Sequence, residues 1–320
     1  MPPRSSRISV LARKATCAVS PPTPGWRRCP KPTVADNPWT RRRVLSYAHQ
    51  GGAWEAPSST LFAIRRALGL GATGIELDVH ATADGELVVC HDKTVDRTTN
   101  GHGRIAELTL AEIRSLDNAY WFVPGADVTP GLEPDAYPYR GRAPEDRDFA
   151  VATLSEVLAL MDRHPHVALN LDIKQTAPAV KPYEEALARL LAEHDGTDHV
   201  IVASFLDAAT EAFSAVAPNI ATSAGTVQTA LFVRAVRMGE PPPKLGHVAL
   251  QVPAVYRGEV VVDGQLVEAA HAAGLAVHVW TINDEPAMEA LLELDVDGII
   301  TDLPAVLVPL TEARGIALGR

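Results

Sequence analysis

Cysteine, aromatic residues and long apolar runs are all scarce in this chain of 320 residues. Three cysteines, two of them Cys17 and Cys29 near the N-terminus, cannot staple a small fold, so a disulfide scaffold is excluded and a reducing cytoplasm is the expected compartment. The longest apolar stretches, near 157–161 and 306–310, fall far short of the roughly 20 residues that span a bilayer, so no stable membrane insertion is expected. Neither a P-loop nor a glycine-rich strand-to-helix turn points to a bound nucleotide. What is plentiful is aliphatic: 47% of residues are hydrophobic and 21% charged, enough to bury a large core and to exclude disorder over the whole length.

Acid is the scarce commodity at one end. Residues 1–43 carry ten Arg and Lys against the single acid Asp36, and eight of the 25 prolines, whereas residues 44–320 carry 19 basic against 38 acidic residues. The head has no hydrophobic period and reads as a disordered basic tail; Arg13 and Lys14 break its one candidate signal segment, 8–12. The net −19 of the remainder argues against nucleic acid or an anionic membrane as partner.

From residue 44 onward, short β-branched and aliphatic runs alternate with stretches of helical spacing. The pairs are 44–48 with 60–69, 74–79 with 154–162, 167–173 with 183–194, and 199–204 with 208–216. They continue as 220–224 with 227–238, 248–252 with 265–273, 276–280 with 286–294, and 298–301 with 306–314. Strands that are apolar throughout and separated by helices imply parallel pairing buried on both faces. Eight such pairs over 44–320 predict an α/β fold, a single (β/α)8 TIM barrel, with a doubly wound sheet as the alternative. One segment, 118–148, lacks the alternation but holds Tyr120, Trp121, Phe122, Tyr137 and Tyr139. It is expected to be an insertion after strand two that walls or lids the barrel mouth.

Polar residues at strand ends are the informative feature, because catalytic groups of such barrels project from the carboxyl ends of the strands. His49 and Gln50 end the first strand. Glu76 and Asp78 share one side of the second by the two-residue period, and Asp172 and Lys174 do so on the third. Gln251, Trp280, Asn283 and Asp302 end later strands. Three carboxylates facing one lumen repel one another, and a divalent cation with oxygen ligands, Mg²⁺, Ca²⁺ or Mn²⁺, resolves that. For Glu76 and Asp78 the metal is the favoured reading; Asp172 taken alone fits a structural ion pair nearly as well. His49 and His91, the latter returned to the mouth by the hairpin at Asp84-Gly85, suit general acid and base roles beside the carboxylates. Cation, lysine and two histidines together describe phosphodiester cleavage.

The motifs Tyr47-Ala48-His49-Gln50-Gly51-Gly52, Gly74-Ile75-Glu76-Leu77-Asp78-Val79, His91-Asp92, Leu169-Asn170-Leu171-Asp172-Ile173-Lys174, Val279-Trp280-Thr281-Ile282-Asn283 and Val296-Asp297-Gly298-Ile299-Ile300-Thr301-Asp302 resemble the glycerophosphodiester phosphodiesterase family, a phospholipase-C-like barrel. The likeness runs in one collinear order over 44–320. It implies one divalent metal on Glu76, Asp78 and Asp172, His49 and His91 as the acid and base, Lys174 on the phosphate, and Trp280 lining the headgroup pocket, although packing in the barrel explains Trp280 equally well. Its implied activity is hydrolysis of glycerophosphodiesters such as glycerophosphocholine to glycerol 3-phosphate and an alcohol.

Four positions depart from the family pattern. Gln50 stands where an arginine is usual, keeping a hydrogen-bond donor for substrate but losing a fixed charge. Ser58-Ser59 replace Glu-Asn, with Glu55 a candidate replacement for the lost acid and Ser59 a candidate helix cap. Asp172 shortens the arm of a usual glutamate. Two other readings stand beside the main one: a lysophospholipase-D-like phosphodiesterase, with the aromatics of 118–148 as an acyl track, and a non-catalytic phosphate-ester binding protein motivated by the lost arginine and glutamate.

Overall fold

The computed structural model describes residues 37–41, 44–174, 182–194 and 197–314. Among them, eight parallel strands form the barrel: β1 (Leu45–His49), β2 (Gly74–Ala81), β3 (Ala168–Ile173), β4 (Val200–Ala203), β5 (Ala221–Thr222), β6 (Ala249–Pro253), β7 (Ala276–Trp280) and β8 (Gly298–Thr301). The helices that follow them are α1 (Leu61–Leu70), α2 (Leu154–Met161), α3 (Glu184–Ala192), α4 (Asp207–Val216), α5 (Thr226–Met238), α6 (Gly264–Ala272), α7 (Glu285–Glu293) and α8 (Pro304–Ala313). The hydrogen-bonded order β5-β4-β3-β2-β1-β8-β7-β6 is closed by one parallel bridge, Ser223 with Ala249. Backbone bonds from Val248 N to Thr222 O (2.9 Å) and from Ala224 N to Ala249 O (3.0 Å) complete that seam. The expected TIM barrel is the observed fold, and the doubly wound sheet is set aside because the two end strands of that order, β5 and β6, meet at this seam.

The two-residue period sorts the side chains as elementary geometry requires. On β2, Ile75, Leu77 and Val79 face the helices, as do Leu169, Leu171 and Ile173 on β3, and all six join one buried cluster with α1 to α4. Each of these aliphatic side chains contributes roughly 1.5–3 kcal/mol on burial. Glu76, Asp78, Asn170 and Asp172 therefore point the other way, into the lumen. Helix starts are set locally. Thr60 Oγ1 accepts from Ala63 N (3.1 Å), and Thr153 with Glu156 makes a reciprocal capping box on α2. Thr60, and not Ser59, is thus the α1 cap; Ser59 sits in the left-handed region at φ 58°. A Gly69, Gly71, Gly74 spacing also occurs, but it ends α1, with Gly71 at φ 95° as C-cap, and opens no helix.

The lumen floor is tightly filled. Tyr47, Leu45, Ala249, Ala276 and Ile300 cluster with Trp39, which is 1% exposed and comes from the short helix Pro38–Arg41. Asn37 anchors that helix by donating from Nδ2 to Val248 O (2.7 Å) and Gly274 O (2.8 Å). Residues 37–41 thus pack under the barrel, although composition assigns them to the basic tail; residues 1–36, 42 and 43 of that tail lie outside the described residues. A Cβ at Gly298 would sit 2.9 Å from His278 Cδ2 and 3.0 Å from Tyr47 Cε2, so only glycine admits both rings.

The segment 118–148 lies between β2 and α2. Its aromatics pack on one another: Phe122 stacks on Tyr139, and Tyr139 on Phe149, with Phe62 of α1 at 5.0 Å from Tyr139. Asn118 Nδ2 donates to Ser58 O (3.0 Å) and Gly125 N to Trp54 O (2.7 Å), tying the segment to the β1–α1 loop as a side wall.

Candidate active site

The carboxyl ends of β1, β2, β3 and β8 carry the polar groups, and strand register brings them together. His49 is level with Glu76, and Asp78 with Asp172. Lys174, just past β3, places Nζ 2.8 Å from both Asp78 Oδ1 and Asp172 Oδ2. Glu76 Oε2 lies 3.7 Å from His49 Nε2. The rings of His49 and His91 face each other edge to face, with centroids 6.3 Å apart. Leu87–Val89 pairs antiparallel with the end of β2 and so delivers His91 to the mouth.

Each histidine has its own carboxylate. His49 Nδ1 donates to Asp302 Oδ1 at 2.5 Å, and Asn283 Nδ2 holds the other oxygen at 2.7 Å. Gln50 Nε2 donates to His49 Nε2 at 3.1 Å, an arrangement that suits an imidazole with its proton on Nδ1. Protonation of Nε2 requires Gln50 to turn its amide oxygen to the ring. Burial alone would lower the His49 pKa, but the Asp302 hydrogen bond and the charges of Glu76, Asp302 and Asp78 outweigh it and raise it to about 9. His91 Nδ1 pairs with Asp92 Oδ1 at 2.7 Å, and Arg97 Nε donates to Asp92 Oδ2 at 2.8 Å. The His91 hydrogen bond, with Arg97, holds Asp92 well below the usual carboxylate range.

The carboxylate cluster is short of positive charge. Burial and the neighbouring Asp78 push Glu76 up to about 8, and burial raises Asp172 as well. Asp78, Asp172 and Glu76 raise Lys174 above its ordinary value despite burial. Glu76 Oε2, Asp78 Oδ2 and Asp172 Oδ1 are buried without a hydrogen-bond partner. As the side chains stand, no three His, Cys, Asp or Glu residues among the described ones converge on a single cation point, because Lys174 Nζ occupies the space between Asp78 and Asp172. Ionising all three carboxylates would leave two negative charges uncompensated by Lys174, and the donors are all oxygen. That set fits a hard divalent cation.

A sequence model of the glycerophosphoryl diester phosphodiesterase family matches residues 49–306. The chain belongs to the glycerophosphodiester phosphodiesterase family. It is 32% identical over 275 residues to the glycerophosphodiester phosphodiesterase of Caldanaerobacter subterraneus, covering 85% of this chain and all of that one. Among solved structures, a glycerophosphoryl diester phosphodiesterase domain from Mycobacterium tuberculosis aligns with TM-score 0.68 at 18% identity, over 84% of this chain and 99% of its own. An Oleispira antarctica phosphodiesterase in complex with sn-glycerol-3-phosphate aligns with TM-score 0.63 at 24% identity, over 86% of this chain and 99% of its own.

Within this phosphodiesterase, the structure brings His49, His91, Glu76, Asp78, Asp172, Lys174 and Gln50 to one end of the barrel. Trp280 stands one aromatic further out, its ring 5.5 Å from that of Phe205, which lies 5.5 Å from Lys174 Nζ. Sequence reading left two roles unassigned. Asp302 and Asn283 are visible as strand-end polar residues, but their partnership with His49 depends on β8 closing against β1. Phe205 carries no polar signal at all. Glu55 does not replace the lost motif glutamate: it pairs with Arg66 and accepts from Ala305 N at 3.0 Å, clamping α1 to α8.

Proposed function

We propose that this phosphodiesterase hydrolyses water-soluble glycerophosphodiesters, such as glycerophosphocholine or glycerophosphoethanolamine, to glycerol 3-phosphate and an alcohol, as a step in phospholipid headgroup turnover. The observation that carries the reading is the pair His49–Asp302 and His91–Asp92 facing each other over the Glu76, Asp78, Asp172 and Lys174 cluster. One imidazole accepts the proton of the attacking water as the new P–O bond forms. The other donates a proton to the departing alkoxide as the old P–O bond breaks, so protons balance over the cycle. Where a glycerol hydroxyl attacks first, a cyclic phosphate results and water then opens it with the two histidines exchanging roles. Lys174 opposes the charge that develops on the phosphoryl oxygens. Asp302 and Asp92 orient the two rings.

The family resemblance implies a divalent cation, and Glu76, Asp78 and Asp172 are the residues that would hold it. When bound, such an ion supplies Lewis-acid stabilisation of phosphoryl oxygens. Gln50 presents an amide beside His49, available to a substrate oxygen, and Trp280 with Phe205 bounds the outer side of the site. Retention of both histidines with paired carboxylates favours catalysis over simple binding of a phosphate ester.

The test is release of glycerol 3-phosphate from glycerophosphocholine by the full chain, with Mg²⁺ or Ca²⁺ and with a chelator, beside His49→Ala and His91→Ala. Metal-dependent turnover lost in both variants is expected. Equal turnover in the variants would remove the histidines from the mechanism, and no turnover on any diester would leave phosphate-ester binding as the better account.

A further inference from the structure

Large apolar side chains are normally scattered on a protein surface, and here they are not. Of the nine that are exposed among the described residues, eight fall between 205 and 260. Phe205, Val227, Leu231, Met238, Tyr256 and Val260 are each more than half exposed, from 52% for Leu231 to 62% for Val227. Helix α5 explains three of them. It buries Phe232, Ala235 and Val236 against the barrel, and presents Val227, Leu231 and Met238 to solvent on the adjoining side, so its apolar surface extends beyond the buried face. The hairpin formed by Val255–Tyr256 and Glu259–Val260 supplies Val255, Tyr256 and Val260, with the Arg257 guanidinium 5.3 Å over the Tyr256 ring, and Phe205 and Leu206 lie in the β4–α4 loop.

These elements adjoin one another. Thr226 N donates to Phe205 O at 3.1 Å, joining the β4–α4 loop to the start of α5. Arg237 Nη2 donates to Val261 O at 2.8 Å, joining the end of α5 to the hairpin base. At its inner edge the sector reaches the catalytic mouth, since Phe205 lies between Lys174 and Trp280.

The charge of the sector is equally distinct. Residues 205–260 carry four Arg or Lys and four Asp or Glu, whereas 44–320 as a whole carry 19 and 38. All of the net negative charge therefore lies elsewhere. α5 itself has arginines and no acid. An apolar sector of balanced charge with an arginine-stacked tyrosine, on an otherwise acidic molecule, matches a zwitterionic lipid–water surface and not an anionic one.

We propose that the sector formed by Phe205, α5 and the 255–260 hairpin docks this enzyme on zwitterionic lipid surfaces, presenting the catalytic mouth to diesters held there, such as lysophosphatidylcholine. The assignment of substrate rests on the proposed diester hydrolysis; the docking does not. It moves the apolar track expected among the aromatics of 118–148 to the other side of the mouth, because those aromatics are spent on one another.

The test uses the full chain, flotation with phosphatidylcholine vesicles containing lysophosphatidylcholine, and the double variant Tyr256→Ser/Val260→Ser beside Leu231→Gln. Wild type is expected to float with the vesicles, and the double variant to bind about tenfold or more weakly. Turnover of water-soluble glycerophosphocholine should stay unchanged in both variants while turnover of vesicle-borne lysolipid falls. Absence of wild-type flotation, or flotation unaffected by the substitutions, overturns the docking proposal. So does a wild-type dimer that the substitutions split while no form floats, since the sector would then cover a second copy. Flotation without hydrolysis of any diester would leave docking standing and remove the enzymatic reading.

Discussion

His49 Nδ1 lies 2.5 Å from Asp302 Oδ1 across the β1–β8 seam, two residues 253 positions apart in the chain. Asn283 accepts from Asp302 N at 2.9 Å through Oδ1 while donating to the Asp302 carboxylate, so the carboxylate is fixed before it meets the ring. Asp302→Asn should lower kcat on glycerophosphocholine by about 100-fold or more with little change in KM or in melting temperature. A kcat equal to wild type would show that the pair orients nothing needed in the rate-limiting step.

Lys174 is the sole cation within ion-pair distance of Asp78 and Asp172 among the described residues. In the presence of chelator, Lys174→Met should lose about 3–5 kcal/mol of unfolding free energy, because buried carboxylates are left uncompensated. Added Mg²⁺ or Ca²⁺ should restore more stability to the variant than it adds to wild type. Denaturant titrations with and without the ion measure this, and an equal ion effect on both proteins would contradict the electrostatic account.

Trp39 seals the floor of the barrel, and its ring centroid is 6.1 Å from that of His278. Trp39→Ala should destabilise by about 3–5 kcal/mol, the range for an aromatic removed from a packed interior. A chain beginning at residue 44 should lose at least as much, since it also loses the two Asn37 bonds, whereas one beginning at residue 37 keeps them. Urea midpoints of the three forms decide it; equal midpoints would mean that the floor packing contributes nothing.

His278 is fully buried with no hydrogen-bond partner on either ring nitrogen, and burial lowers its pKa from 6.5 to about 3. Above pH 6.5 folded and unfolded forms are both neutral, and this residue leaves stability untouched. Below it the unfolded chain takes up a proton that the fold refuses, so stability falls by up to about 1.4 kcal/mol per pH unit until pH approaches 3. His278→Asn should flatten the decline of unfolding free energy between pH 6.5 and 4. An unchanged slope would place the acid sensitivity elsewhere.

Much of the site was legible because it depends on short-range periodicity. The two-residue strand period puts Glu76 with Asp78 and aligns Asp172 beside Lys174 whatever the rest of the chain does, and His91 follows from a hairpin closed within a few residues. The likeness of those motifs to a known family then indicated the chemistry. Ser59 and Glu55 could not be read in the same way. Whether Thr60 or Ser59 caps α1, and whether Glu55 turns to the mouth or to Arg66, is decided by loop backbone angles and by what α8 brings alongside.

The sequence by itself determined the alternation of eight apolar strands with amphipathic helices, and hence a parallel barrel with its polar strand ends at one mouth, since burial on both faces leaves an apolar run no other partner. Closure of that barrel decided the rest. It placed Asp302 on His49, set Lys174 between two carboxylates, drew Trp39 under the lumen, and left Phe205, α5 and the hairpin exposed in one sector. Such contacts join residues far apart in the chain, and no local pattern encodes them, because they exist only once every strand has taken its place.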